Sequence, residues 1–332
     1  MKTSLIAICL VLAGCHGKSG STPVRIANPG TGLQTQYLPI SLADTLGFYK
    51  NEGLDVSLEN LPTAGKTMEA LLGGSVDVAG ISYLQAIQMA ADGQRVKTFF
   101  IGVRRISTVL AIAAGASKRI QRVEDLKGAV IGVPSFGSPN HLWMNYVLAE
   151  RGLRPSELRT VGIGVGASAM AAIESGRIDA ASLSGGDHIR LLRRNAAARI
   201  LFDGSTPEGM QKTFGGDLFG SGALAAKQEW LDRNPETARR LAHALQRSLR
   251  WIATHSPEEI RERLPPPFRS QDAAVDLEII RWSLPMFTPD GKMPKGAPEA
   301  VKHFLDATID SVRNSKIDLA ATWTNQFLQE SQ

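Results

Sequence analysis

The chain has 332 residues, 43% hydrophobic and 21% charged, enough to bury a large core and to form two lobes. Its net charge of +5 is scattered: the Arg-Arg pairs at 104–105, 193–194 and 239–240 lie on separate segments with no aromatic-interleaved stripe, which argues against nucleic acid and for solvated helix faces. The two cysteines, Cys9 and Cys15, and six histidines without HxxxH or HExxH spacing give no disulfide frame, no thiolate chemistry in a mature domain and no metal site.

In chain order, the first element is a leader. Lys2 precedes an apolar run at 5–13, too short for the ~20 residues of a membrane span and of the length of a signal h-region. Leu12-Ala13-Gly14-Cys15 resembles the lipobox of bacterial lipoproteins. On that reading 1–14 is the signal peptide, Cys15 is the acylated N-terminus, and 15–23 is a polar tether. Each buried acyl methylene contributes ~0.8 kcal/mol, so more than one chain gives a stable anchor. An ordinary signal peptide with a chance cysteine, or a hydrophobic N-terminal helix, fits the same residues.

Apolar runs bounded by turn residues then predict strands at 24–27, 55–61, 77–80, 98–103, 109–113, 130–133, 159–163, 179–183, 199–202 and 221–226. Helical patterns fall between most of them. After Gln228 only helices are predicted, broken by LPPPFRS and FTPDGKMPKGAP. Alternation of strand and helix makes the fold class α/β with mostly parallel sheets.

An internal echo divides the strands into two sets. ALLGGSVDVAGIS (70–82) aligns with AIESGRIDAASLS (172–184) at an offset of 102, and Met68 matches Met170 at the same offset. NEGL (51–54) echoes ERGL (150–153) at an offset of 99. Two copies this far apart are not a solenoid, whose periods run ~20–50 residues. They predict two similar lobes. Asp77 and Asp179 occupy equal places in the copies and are expected to stabilise a turn in each, rather than to form a catalytic dyad.

Ligands of open α/β sheets bind outside the carboxyl ends of the strands, where each loop runs into a helix N-terminus. Lobe one offers NPGTGLQTQY, PTAGKT and GISY there; lobe two offers PSFGSPN, GVGAS and SLSGGD. Ser82, Ser135, Ser138, Ser168 and Ser184 would surround a shared cavity suited to an anionic head group. The turn at 135–140 is expected to hold part of it, although Ser138 as N-cap with Pro139 at N1 explains that turn equally. Tyr37, Tyr83 and Phe136 are candidate apolar walls, while Trp143 and Tyr146 read as helix core. Gly164-x-Gly166-x-x-Ala169 with Asp187 downstream fits a variant dinucleotide fingerprint, but its helix is short and lobe one has no matching glycines. No Gly-x-Ser-x-Gly elbow occurs, and His141, His188 and His243 have no spacing that implies a base.

The stretches YLPISLADTLGFYKNEGLDVSLEN, AGKTMEALLGGSVDVAGISYLQAIQMAADG, RVEDLKGAVIGVPSFGSPNHLWMNYVLAERGLRPSEL and AMAAIESGRIDAASLSGGD together resemble the nitrate/sulfonate/taurine family of ABC-importer solute-binding proteins, which also includes binders of pyrimidine thiamine precursors. The resemblance implies a two-lobed periplasmic-binding-protein fold with crossover hinges at 104–111 and 213–223 and a helical C-terminal region. Lobe I would comprise 24–107 and 224–332, and lobe II 108–223. It further implies a monomeric, exported, lipid-anchored protein on the periplasmic or cell-surface side. Such a protein delivers a small sulfonate, nitrate or carboxylate-like solute to a permease driven by a separate ATPase, with no catalysis and no cofactor. Carried onto this chain, the implied site comprises Gly65, Lys66, Ser82, Tyr83, Ser135, Phe136, Gly137, Ser138, Ala167, Ser168, Ser184 and Asp187, with Gln34 and Tyr37 from the long first loop. Lys66 would pair with a carboxylate or sulfonate, or lie in solvent. Asp187 would favour a ligand amine or ring N–H if it points inward, or merely cap the helix at His188. Two other functions stay open: a solute-sensing lipoprotein that signals to a receptor, and an enzyme of the same fold that makes a pyrimidine precursor. The export signal and the lack of cysteine after processing count against the enzyme.

Overall fold

The computed structural model describes residues 21–30, 33–216 and 219–330. The leader, Cys15 and most of the tether lie outside the described residues. From the N-terminal side the elements are β1 (Thr22–Pro29), α1 (Leu38–Thr45), α2 (Phe48–Asn51), β2 (Leu54–Leu61), α3 (Ala64–Gly73), β3 (Val78–Ile81), α4 (Tyr83–Ala91) and β4 (Val96–Val103). The next set is β5 (Val109–Ile112), β6 (Val130–Val133), α5 (Pro139–Ala149), β7 (Arg159–Gly162), α6 (Ala167–Glu174), β8 (Ala180–Leu183), α7 (Asp187–Arg194), β9 (Arg199–Asp203) and α8 (Pro207–Phe214). β10 (Ser221–Lys227) follows. The rest is helical: α9 (Gln228–Arg233), α10 (Pro235–Thr254), α11 (Pro257–Arg263), α12 (Ala273–Ser283), α13 (Ala297–Thr308) and α14 (Asp310–Arg313). Every expected strand is present, and none follows Lys227 among the described residues.

The strands form two five-stranded sheets, ordered β2-β1-β3-β10-β4 and β7-β6-β8-β5-β9. β1 pairs in parallel with β2 and β3, and β6 in parallel with β7 and β8. The sheets are mixed because β10 runs antiparallel to β3 and β4, and β5 antiparallel to β8 and β9. The reason is connectivity. A strand entered directly from the other sheet starts at the edge where its neighbours end, so it must run against them. β5 and β10 are those two strands.

The echo in the sequence is an echo in space. The Asp77 carboxylate accepts the Arg25 N–H at 2.8 Å, and the Asp77 N–H donates to the Arg25 carbonyl at 2.9 Å. Asp179 makes the same two bonds, at the same lengths, with Val130. Each carboxylate also meets a guanidinium, Arg25 in one case and Arg119 in the other. Both aspartates thus lock the entry to a central strand, as expected of a turn-stabilising role.

α10 shows how the helical region is held. Pro235 pre-sets its first turn, and Ala238, Leu241, Ala242, Leu245, Leu249 and Ile252 recur on one buried face. From Ala238 to Leu249 that face shares a core with Val24, Ile26, Phe99 and Leu224 of the first sheet, while Ile252 joins the core of α1 and α12, each buried leucine or isoleucine contributing roughly 1.5–3 kcal/mol. α12 and α13 also reach the second set of elements: Glu278 of α12 pairs with Arg193 of α7 at 2.6 Å, and Phe304 of α13 meets Tyr146 of α5 edge-on at 5.3 Å.

Candidate functional site

The carboxyl ends of β1, β2 and β3 and those of β6, β7 and β8 border one cavity of about 330 Å³. The first sheet contributes Pro29 and Gly30, then Pro62, Thr63 and Ala64, then Ser82; the second contributes Pro134 and Ser135, Gly164 and Val165, and Ser184. The segments joining the sheets add Ile106, Ser107, Thr108 and Phe219. Gln34 spans the gap between the two loop sets. A Cβ on Gly30 or on Gly185 would lie 3.0 Å from its side chain, and both glycines have positive φ (91° and 59°), so a larger residue is strained at each.

The polar groups are placed by helix starts. The Thr63 hydroxyl oxygen accepts the Lys66 N–H at 3.2 Å and caps α3. Gln85 Oε1 accepts the Ser82 N–H at 3.0 Å at the start of α4. The Ser138 hydroxyl donates to the Ser135 carbonyl at 2.7 Å and accepts the His141 N–H at 3.3 Å, with Pro139 at the first position of α5. Ser168 donates to the Val165 carbonyl at 2.9 Å. Ser138 is therefore both the helix cap and part of the cavity wall. Helix starts present unpaired N–H groups and the positive end of the dipole, which suits an electron-rich ligand group.

Of the residues expected from sequence, Gln34, Tyr37, Ser82, Ser135, Ser138, Ser168 and Ser184 line this cavity. Gly65, Lys66, Tyr83, Phe136, Gly137, Ala167 and Asp187 do not. The PTAGKT loop faces the cavity two residues earlier than expected, because Thr63 starts the helix and Lys66 falls on its outer side, where its ammonium pairs with Glu69 at 2.7 Å. Tyr83 is fully buried in the core with its hydroxyl 2.7 Å from that of Thr322, and burial pushes the phenol well above its usual pKa. Phe136 turns outward, 65% exposed, and Gly137 donates its N–H to His141 Nδ1 at 3.0 Å. Asp187 neither faces the cavity nor caps His188. Its carboxylate accepts the Gly166 N–H and pairs with Arg190, both at 2.8 Å, tying the start of α6 to α7. That use leaves no role for it as the acid of a dinucleotide fingerprint.

No Asp, Glu, Lys, Arg or His is among the described residues that line the cavity. The polar side of the cavity is hydroxyl and amide; the other side is Tyr37, Leu84, Ile106, Trp143, Phe214, Phe219 and Phe304. Burial raises the Tyr37 phenol above its usual pKa, partly offset by its hydrogen bond to Gln36, so it stays a neutral hydroxyl. The sequence placed Asn140 at the end of the turn expected to hold the ligand without naming it a site residue, and it assigned Trp143 to the core. Both are buried, both line the cavity, and their donors, Asn140 Nδ2 and Trp143 Nε1, have no acceptor among the described residues. Their one-turn spacing on α5 was a usable signal. Phe304, more than 160 residues away in sequence, had none.

A family model described as NMT1/THI5 like matches residues 34–260. A solved structure from Bordetella bronchiseptica RB50 is 32% identical, covers 92% of this chain and 95% of that one, and has a TM-score of 0.83. The fold is also that of the alkanesulfonate-binding protein SsuA from Xanthomonas axonopodis pv. citri bound to MOPS, which is 18% identical over 91% of this chain and 98% of that one, with a TM-score of 0.71. The 4-amino-5-hydroxymethyl-2-methylpyrimidine phosphate synthase of Schizosaccharomyces pombe (strain 972 / ATCC 24843) is 31% identical over 145 residues, 43% of this chain and 40% of that protein.

Proposed function

We propose, from the premise that the chain belongs to the NMT1/THI5-like family, that it is the extracytoplasmic solute-binding component of an ABC importer. One observation carries the reading: a cavity enclosed by the strand ends of two sheets, lined by hydroxyls, amides and aromatic rings. Two lobes, 24–107 with 224–332 and 108–223, would close on a small solute by rotation about the crossovers at 104–111 and 213–223. Cys15 would tether the protein to a membrane beside a permease, with a separate ATPase supplying the energy, and the protein would act as a monomer.

Among the described residues, the lining holds no side chain able to serve as a nucleophile of the Cys or Lys type, or as a histidine or carboxylate acid–base. That supports capture over catalysis, despite the partial likeness to a synthase. A sulfonate, nitrate or carboxylate head would be held by helix starts and serines without a counter-cation. The absence of charge equally suits a neutral solute such as a pyrimidine, the class named in the synthase relative.

A thermal-shift screen over sulfonates, nitrate, bicarbonate, aromatic carboxylates and pyrimidines tests the function. A bound solute raises the melting temperature through RT ln(1 + [L]/Kd), about 2.7 kcal/mol at a hundredfold excess over Kd. No shift with any small solute at millimolar concentration overturns the reading. In parallel, Cys15→Ala should release the protein from the membrane fraction, and unchanged fractionation overturns the anchor.

A further inference from the structure

We infer that His141 is a positioning residue of the cavity wall: its neutral imidazole holds the turn that carries Ser135 and Ser138, so that solute capture weakens in acid. This rests on the solute-binding reading above. The turn between β6 and α5 runs Ser135-Phe136-Gly137-Ser138, and of these four only the two serines line the cavity. Ser138 closes the turn from one end, its hydroxyl donating to the Ser135 carbonyl at 2.7 Å. His141 closes it from behind. Gly137 donates its N–H to His141 Nδ1 at 3.0 Å, and the Phe136 ring meets the imidazole edge-on at 5.6 Å. His141 itself is not part of the lining.

A ring nitrogen that accepts an N–H carries a lone pair, so this imidazole is neutral and its single proton sits on Nε2. Nε2 lies 3.2 Å from the amide of Asn145, one turn further along α5. Asn145 Oδ1 is buried and has no partner among the described residues, so a half-turn of that amide makes it the acceptor of the Nε2–H. The relay from Gly137 through His141 to Asn145 thus fixes one tautomer. A proton on Nδ1 would replace the acceptor by a second donor facing the Gly137 N–H, and the turn would lose its support. No charged group is placed to hold that proton. β8, packed on α5, has no titratable residue; on α13, Lys302 pairs with Asp306, while Glu299 and His303 are exposed; Glu157, in the turn before β7, pairs with Lys127. Burial alone acts on His141 and lowers its pKa from the usual 6.5.

Nitrogen-15 NMR of the purified protein reads the tautomer and the turn without any solute. At pH 7.5 His141 should show a bare Nδ1 and a protonated Nε2. On acidification it should titrate below pH 6.5, and the amide signals of Ser135, Gly137 and Ser138 should move along the same curve. Calorimetric titration with nitrate, methanesulfonate and uracil, whose charges stay constant in this range, reads the cavity. Whichever of them binds should lose affinity about 2- to 10-fold by the acid end of the His141 titration, the worth of one neutral hydrogen bond. Two variants separate positioning from packing. Asparagine brings a carbonyl oxygen to the place of Nδ1, so His141→Asn should keep the affinity at pH 7.5 and abolish its fall in acid. Glutamine brings its amide to the place of Nε2, so His141→Gln should weaken binding about 2- to 10-fold at every pH. A protonated Nδ1 at pH 7.5, or turn amides that ignore the titration, overturns the inference whatever the solutes do. Affinity that stays flat across the titration, or two variants that behave alike, overturns it and leaves solute binding standing. If none of the three solutes binds, the turn amides decide the inference, and only silence across the wider solute screen overturns the binding reading.

Discussion

Asn140 and Trp143 carry the clearest residue-scale signature of a binding site, because each leaves a buried donor without a partner among the described residues and both line the cavity. Such a donor costs about 1–3 kcal/mol, a cost that a bound acceptor can offset. Asn140→Leu should therefore leave the unliganded protein at least as resistant to heat as wild type, while weakening solute binding tenfold or more; calorimetric titration against the melting curve checks both halves. A fall in stability with unchanged affinity would make Asn140 structural. Lys66 illustrates the opposite case. A cation beside a helix start looks functional in a sequence, but one turn of helix is enough to carry its side chain to solvent and to Glu69. A helix positions backbone at the cavity reliably and side chains only according to register.

At the scale of elements, the repeated strand-entry lock is the strongest evidence that the two sheets are built alike. Asp77 and Asp179 each satisfy a strand N–H and hold an arginine. Burial tends to raise the Asp77 carboxyl, but the Arg25 hydrogen bonds outweigh it and hold the group below its usual pKa. Asp77→Ala and Asp179→Ala should each destabilise the protein by about 1–3 kcal/mol, and by similar amounts, as measured by denaturant unfolding. A large effect at one and none at the other would break the equivalence. The loops after the strands are alike in another respect: PTAGKT, PSFGSPN and GVGAS all deliver small residues and a hydroxyl to the cavity. They were legible because glycine, serine and proline have local reasons to be there.

At the scale of the whole molecule, the C-terminal helices meet the second set of elements on the α12–α7 seam. His188 is buried there, its ring 4.7 Å from that of Trp282, with Nδ1 unpaired among the described residues. Trp282 Nε1 donates to the Ser205 hydroxyl at 3.2 Å, which in turn bonds Asp203 at 2.5 Å. Burial pushes the His188 pKa down to about 4; Asp203 and Glu278 pull it up and Arg190 opposes them, without overcoming desolvation. The unfolded chain takes this proton near pH 6.5. The folded state thus binds fewer protons in between, and stability should fall as pH drops from 6.5 towards 4, by at most about 3 kcal/mol from this group. His188→Leu should flatten that part of the melting-temperature profile, and an unchanged slope would place the acid sensitivity elsewhere.

The sequence by itself determined the order and extent of the strands, the duplication, the all-helical third and the serine-bearing turns, because hydrophobic period, glycine and proline act over a few residues. Tertiary structure decided the rest. It set the direction of β5 and β10, which follows from crossing between sheets. It sent Lys66, Tyr83, Phe136 and Asp187 away from the cavity, through helix register and prior partners. It also assembled the aromatic wall, whose rings come from positions 37 to 304 and meet only when two sheets and a distant helix are packed together.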